Sequence, residues 1–171
     1  MNIQFKVEED TVTEQEKYTL SEAQLKFAKS TFNRTWELLD ITERTPAENE
    51  ELIHAAHTSL YHWLQVGTPV NAQRGEWMLA HVYTVLEQPS LALKHAARCM
   101  DLTEKYQPIM KDFDLAFAHE GLARAYALAG EVNKAREEHE LAKTAGEAIS
   151  DPEDKQIFSD SLKDGNWYGI A

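Results

Sequence analysis

Three side chains suited to ligand binding follow one another at helical spacing. Arg74, Trp77 and His81 are separated by three and four residues, and residues at these spacings lie on one face of a helix. A guanidinium forms paired hydrogen bonds with a carboxylate, while indole and imidazole rings supply flat contact surfaces. This face predicts a site for a protein or peptide segment, recognised through an acidic side chain or a C-terminal carboxylate.

The histidines raise the separate question of a metal site. His54 and His57 stand three residues apart, and Glu51 precedes His54 by three, the spacing used in carboxylate-bridged di-metal bundles. Such a bundle needs a second motif on another helix, which the sequence lacks. At about 100° per residue, His62 points away from the other two histidines. We therefore expect no metal centre and no cofactor. His57 is expected to be a hydrogen-bonded core histidine, with ligand contact as the alternative.

A second function class rests on the density of histidine and tryptophan between residues 36 and 81. A small-molecule- or metal-dependent enzyme built inside a helical bundle would use Glu37, His54, His57, His62 and His81. The sequence contains no glycine-rich phosphate loop and no His-Glu-x-x-His motif. Binding is therefore favoured over catalysis.

The helices that carry these residues belong to a pattern that occurs twice, with a constant offset of 43 residues. Small residues let helix backbones approach closely, and tyrosines fill the space between hairpins. The pattern predicts two copies of one helical hairpin, stacked side by side. The first copy contains Leu79-Ala80, Tyr83, Ala92 and Cys99, and the second contains Leu122-Ala123, Tyr126, Ala135 and Ala142.

The same offset of 43 residues extends the candidate site to Phe117, Glu120 and Arg124. Asn33, Trp36 and Glu37 on the first helix are further candidates for the same groove. A second interpretation treats these charges as internal. Arg74 then pairs with Glu120 across stacked helices. The other such pair is Glu37 with Arg124, and Trp77 belongs to the core. The sequence leaves both interpretations open.

Capping and proline signals predict seven helices and an all-α fold of antiparallel hairpins. Ser21 with Gln24 and Thr45 with Glu48 match the capping box, and Gly67 is expected to end the second helix in the left-handed conformation. No alternating apolar run is bounded by hairpin turns, so a sheet is not expected. Six of the predicted helices cover about 21–39, 46–66, 69–87, 89–105, 132–149 and 152–165. The fifth in order is opened by Pro108 and by Asp112 or Asp114, and it ends at Gly130.

The segment from Leu122 to Gly130, followed by Ala135, resembles a tetratricopeptide repeat. It has the small residues at the helix contact, the aromatic residue, the glycine at the turn and the alanine five residues later. The first copy is weaker because Gln88-Pro89 replaces the turn glycine, and the period exceeds the family's 34 residues. The likeness covers residues 74–144. The run from His54 to Trp77 is also similar to a group of bacterial proteins of this architecture.

This resemblance implies a short right-handed α-solenoid that binds proteins or peptides, and it does not imply catalysis. In that family the first helix of each hairpin lines the concave groove, so the stripe beginning at Arg74 would face it. Gly75 in mid-helix is explained by close packing against a large neighbour.

The composition restricts the partners. The formal charge is −12, from 29 acidic and 17 basic residues, which opposes binding to nucleic acid or to an anionic membrane. The single cysteine, Cys99, forms no internal disulfide and is expected to be a buried small hydrophobe. No apolar run approaches the ~20 residues that span a bilayer, and we expect a cytoplasmic location.

The chain is expected to form one helical domain, over residues 21–165. Residues 1–20 are predicted to be a mobile acidic arm. Residues 166–171 are predicted to be a short apolar tail that docks on the domain. A homodimer formed through this tail is the alternative.

Overall fold

A computed structural model describes residues 17–170, so residues 1–16 of the predicted arm lie outside the described range. Over this range the protein is entirely helical and contains seven α-helices, as predicted. A short 3-10 helix, Gln107–Ile109, precedes the fifth. The helices are α1 (Leu20–Leu39), α2 (Pro46–Val66), α3 (Pro69–Val85), α4 (Pro89–Lys105), α5 (Asp112–Leu128), α6 (Val132–Glu147) and α7 (Pro152–Lys163).

The helices pair as consecutive hairpins that stack on one another. The closest pairs are α1 with α2, α3 with α4, and α5 with α6, and the connections between them are short, so partners run antiparallel. Neighbouring hairpins meet through α2 on α3, α4 on α5 and α3 on α5, while α7 covers α5 and α6. The main core joins α1 to α5, and a smaller core lies under α7 around Phe158.

Capping signals in the sequence mark where helices begin and end, and the structure corrects two of these predictions. The Thr45–Glu48 capping box is present, with the Thr45 N–H donating to the Glu48 carboxylate at 2.7 Å. The first helix begins earlier than predicted, because its capping box is formed by Thr19 and Glu22 rather than by Ser21. Gly67 is extended (φ −88°, ψ −170°) and not left-handed, although its N–H still caps α2 by donating to a carbonyl of the last turn.

The two predicted hairpins turn in the same way. Gly130 is left-handed (φ 76°), and the N–H of the following residue donates to the Tyr126 carbonyl at 2.9 Å. Forty-three residues earlier, Glu87 is also left-handed (φ 54°), and the next N–H donates to the Tyr83 carbonyl at 2.9 Å. The copy without a turn glycine therefore makes the same turn, with Glu87 in a conformation that favours glycine.

A polar contact is also repeated across the two hairpins. Glu76 on α3 contacts His95 Nδ1 on α4 at 2.7 Å. The equivalent residues of the next hairpin are His119 on α5 and Glu138 on α6, and their contact is also 2.7 Å. The acid and the base have exchanged helices. The position of the contact is thus the repeated feature, rather than the residue at each end.

Small residues fill the helix contacts as predicted. The repeated alanines Ala80, Ala92, Ala123 and Ala135 are all buried. Gly75 packs against Leu60, whose Cδ1 would lie 2.7 Å from a Cβ at that position. The predicted reason for a glycine in mid-helix is therefore confirmed.

Candidate functional site

A cavity of about 200 Å³ opens between α1, α3 and α5. We call it the aromatic cavity, because five of its eight lining residues carry aromatic rings. Each of the three helices is the first of its hairpin, and the cavity lies on the face that these helices share. Its lining consists of Phe32, Trp36, Gln73, Arg74, Trp77, Phe113, Asp114 and Phe117.

Trp77 is the central side chain of the cavity wall. Its ring centroid lies 6.2 Å from that of Trp36 on α1 and 5.2 Å from that of Phe117 on α5. The indole Nε1 donates to the Glu120 carboxylate at 3.2 Å. Gly121 leaves room for the indole, since a Cβ there would lie 3.3 Å from Trp77 Cδ1. Trp77 is therefore held by packing on both sides and by one hydrogen bond.

Arg74 lies at the rim, and its partner differs from the predicted one. It donates two hydrogen bonds to Asp114, at 2.8 and 3.2 Å, and its guanidinium lies 4.8 Å from the centroid of the Phe113 ring. The Arg74 side chain is 43% exposed and that of Asp114 is 1% exposed. Asp114 also accepts the backbone N–H of Lys111 at 2.9 Å. Glu120 is not its partner, because Arg74 lies one turn before Trp77 and therefore faces the first turn of α5.

Arg124 does not face an open groove, and of the two interpretations left open by the sequence it follows the one that treats its charge as internal. It is 5% exposed and forms an ion pair with Glu120. Its Nη2 donates to the carbonyls of Ser161 and Asp164 at 2.7 and 2.8 Å, and its guanidinium lies 4.1 Å from the centroid of the Trp167 ring. Arg124 thus attaches the end of α7 and the C-terminal tail to α5.

The tail itself docks on the domain. Trp167 is buried, and its Nε1 donates to the Leu162 carbonyl at 3.1 Å. The Tyr168 hydroxyl donates to the Thr84 carbonyl at 3.0 Å. The tail therefore connects α7 to the end of α3, and it contacts Arg124 through the Trp167 ring and the Asn166 carbonyl.

Of the three predicted positions on α1, only Trp36 lines the cavity. Asn33 is exposed, and Glu37 pairs with Arg34 at 3.1 Å on the outer surface. Glu37 therefore does not pair with Arg124. Phe32 and Trp36 line the cavity, and Asn33 and Glu37 each follow one of them by a single residue. They point elsewhere because successive helical residues are rotated by about 100°.

Sequence reasoning missed four lining residues: Phe32, Gln73, Phe113 and Asp114. Two of them carried a detectable signal. Phe32 precedes Trp36 by four residues and Phe113 precedes Phe117 by four, so each forms an aromatic pair on one helix face. Gln73 and Asp114 carried no such signal, since their roles depend on the neighbouring helix. The Gln73 amide nitrogen donates to Thr103 on α4 at 2.9 Å.

His81 lies beside the cavity, stacked on Trp77. The two rings are nearly parallel, with an interplanar angle of 10° and centroids 5.4 Å apart, and Trp36 lies 6.1 Å away. The Nδ1 atom of His81 is buried and has no hydrogen-bond partner among residues 17–170. Burial lowers the pKa of His81, and the charge of Glu120 opposes this effect. His81 thus serves as a neutral aromatic surface behind the cavity wall.

The remaining histidines of the enzyme hypothesis lie apart from one another. His57 is hydrogen-bonded as expected, through Nε2 to the Tyr83 hydroxyl at 2.8 Å, but it lies at the edge of the core, where the residue is exposed and its hydrogen bond is partly buried. Burial and the neighbouring His95 lower the pKa of His57. His62 Nδ1 contacts the Gln24 side chain, and His54 is exposed. Among residues 17–170, no group of three or more histidine, cysteine, aspartate or glutamate side chains is arranged to hold a metal ion.

Two further histidines are buried. His95 contacts Glu76, and the His139 ring lies 4.5 Å from Trp167. Glu138 is half-buried against His119. Cys99 is a buried free thiol as predicted, and burial raises its pKa.

The fold and the cavity together define a stack of helical hairpins with an aromatic recess on one face. No match to this chain is found among protein-family models, curated proteins or solved structures. Within the described part of the chain, no helix has the length and apolar character required to cross a bilayer. The functional argument therefore depends on the geometry of the site.

Proposed function

We propose that this protein is a tetratricopeptide-like binding module that holds a segment of another protein along the face formed by α1, α3 and α5. The aromatic cavity is the observation that carries the proposal. It lies where three consecutive hairpins each contribute their first helix, which is the groove-lining helix in the family that the sequence resembles. A cytoplasmic location and bacterial origin are part of the same proposal.

The chemistry of the cavity supports binding rather than catalysis. Its walls are mainly aromatic, and its two charged lining residues, Arg74 and Asp114, bond to each other. Burying one large apolar side chain there would contribute about 1.5–3 kcal/mol, and a few such anchors determine the affinity of many protein interfaces. The net charge of −12 supports a partner other than nucleic acid or an anionic membrane.

The proposal is tested by selecting peptides from a displayed random library on the immobilised full chain. Selected peptides are then measured by calorimetry against wild type, Trp36→Ala and Tyr61→Ala. Trp36 is at the rim of the cavity, whereas Tyr61 is an exposed aromatic residue on α2 that does not line it. Peptides should lose at least tenfold in affinity on Trp36→Ala and keep it on Tyr61→Ala. An empty selection, or equal binding to the two variants, would count against a peptide-binding groove.

A further inference from the structure

We infer that the aromatic cavity accepts one aromatic side chain from an internal, neutral-to-basic peptide segment, and that it discriminates against a chain ending in a free carboxylate. This inference depends on the proposed function and specifies its partner. The expectation drawn from the sequence, a carboxylate held by two arginines, is thereby replaced.

The size of the cavity limits what it can hold. Sites for drug-sized ligands have volumes of roughly 300–1,000 Å³, and this cavity has about 200 Å³. One bulky side chain fits such a space, whereas a nucleotide or a larger cofactor does not. The remainder of a bound segment would lie outside, across α1, α3 and α5.

The walls select an aromatic ring among bulky side chains. Trp77 and Phe117 are arranged edge to face, with an interplanar angle of 72°, and Phe113 and Phe117 likewise at 84°. An aromatic ring inserted into the cavity would contact the faces and edges of these three rings. Such pairs stabilise beyond the area that they bury. An aliphatic side chain of similar volume obtains the burial without this additional contribution.

Arg74 supplies hydrogen-bond donors at the mouth without a net charge. Its Nε and Nη2 bond to Asp114, and its side chain is 43% exposed and lines the cavity. The buried carboxylate of Asp114 offsets the charge of the guanidinium. A neutral backbone carbonyl can accept from Arg74, but a carboxylate gains little Coulombic attraction there.

Arg124, the second arginine of the expected pair, does not bind an anion in the cavity. The Arg124 guanidinium is already bonded to Glu120 and to the carbonyls of Ser161 and Asp164. Glu120, which accepts from Trp77, is itself paired with Arg124, so this pair adds no net charge behind the cavity wall. With a chain charge of −12, the electrostatic complement is a segment with lysine or arginine beside the aromatic residue.

The test uses three short peptides and the full-length protein. The first has the sequence Lys-Gly-Phe-Gly-Lys with acetyl and amide ends, the second replaces phenylalanine by alanine, and the third is acetyl-Lys-Gly-Phe with a free carboxylate. Binding is followed through the indole N–H resonances of the protein, because none of the peptides contains tryptophan. The resonance of Trp77 should shift, and the dissociation constant should rise at least tenfold for the alanine peptide and at least threefold for the free carboxylate.

Two controls separate the possible outcomes. Trp36→Ala should weaken the first peptide, and Tyr61→Ala should not. Tighter binding of the free carboxylate, equal binding of the alanine peptide, or no shift at millimolar peptide overturns the inference. If peptides selected on the wild-type protein depend on Trp36 but lack an aromatic residue, or require a free C-terminus, this inference fails while the proposed function stands. If no selected peptide depends on Trp36, the proposed function fails as well.

Discussion

Trp77 and Glu120 stand 43 residues apart and are in direct contact, with the indole Nε1 donating to the carboxylate at 3.2 Å. The two residues occupy the same position in consecutive hairpins. Equivalent positions meet in this way only when the hairpins stack in register. This hydrogen bond therefore links the repeat in the sequence to the packing of α3 on α5, and it positions the tryptophan that forms the wall of the aromatic cavity.

The first prediction concerns Glu120, which is buried between Trp77 and Arg124. Glu120→Ala leaves the Arg124 guanidinium buried without its carboxylate, and we expect a loss of roughly 3–5 kcal/mol in the free energy of unfolding. Glu120→Gln keeps an acceptor for Trp77 and should lose less. Urea denaturation measures both variants. Glu140→Ala removes an exposed partner of Lys143 and is the control. Equal losses for Glu120→Ala and Glu140→Ala would show that the buried pair has no special importance.

The second prediction uses the exchanged contacts of the two hairpins. Glu76→His or His95→Glu alone places two like groups across the α3–α4 contact, and each should cost about 1–3 kcal/mol. The double variant should recover most of this loss, because His119 and Glu138 already make the reversed contact at 2.7 Å. Recovery should be incomplete, since Arg98 also bonds to Glu76 at 2.8 Å.

A double-mutant cycle measured by urea denaturation tests this coupling. Strictly additive losses in the double variant would show that the repeated position does not accept the reversed arrangement. The same exchange made at His119 and Glu138 provides an internal comparison, since in the described part of the chain that contact has no bond corresponding to that of Arg98.

The third prediction concerns pH. Burial lowers the pKa of His81 below its ordinary value of 6.5, and burial is also the leading cause for His57 and His139. Above that value the imidazole is neutral in both the folded and the unfolded chain. As the pH falls below it, the unfolded chain binds a proton that the folded chain does not, so stability is lost down to the folded-state pKa.

Replacing His81 by phenylalanine should keep the stacking on Trp77 and reduce this loss. Thermal unfolding is compared at about pH 7.5 and about pH 5.5, on either side of the ordinary histidine pKa. His54→Ala is the control, because His54 is exposed. The prediction is wrong if the His81→Phe protein shows the same pH dependence as the wild type.

The fourth prediction concerns the tail. Trp167 is buried against His139 and Arg124. Trp167→Ala should lower the free energy of unfolding by about 3 kcal/mol. This loss is near the lower end of the range for a buried aromatic residue, because a terminal segment can open locally without unfolding the whole domain. Ile157→Ala on the exposed side of α7 should have little effect.

Light scattering on the same tail variants tests the dimer hypothesis. Since the tail's aromatic residues already pack on their own domain, the mass of the wild type and of the chain lacking residues 166–171 should differ only by the deleted residues. A halving of mass on deletion would instead assign the tail to a dimer interface.

Much of the helical architecture was accessible from the sequence because its signals are local. The Thr45–Glu48 box and the prolines that begin α2, α3, α4 and α7 act within one turn, and they start helices in any context. The offset of 43 residues also predicted the stacked hairpins, since small residues at matching positions allow the same close approach twice.

The partners of the charged and aromatic residues were decided by the tertiary structure. A helical face shows which side chains point in one direction, but not which turn of the neighbouring helix lies opposite, and one turn is about 5.4 Å. A difference of nearly two turns, about 9 Å along α5, gave Arg74 the carboxylate of Asp114 instead of Glu120. The sequence by itself therefore determined the helices and their repeat. The packing of α3 on α5, and of the tail on Arg124, determined which polar groups were already occupied and left an aromatic cavity as the accessible site.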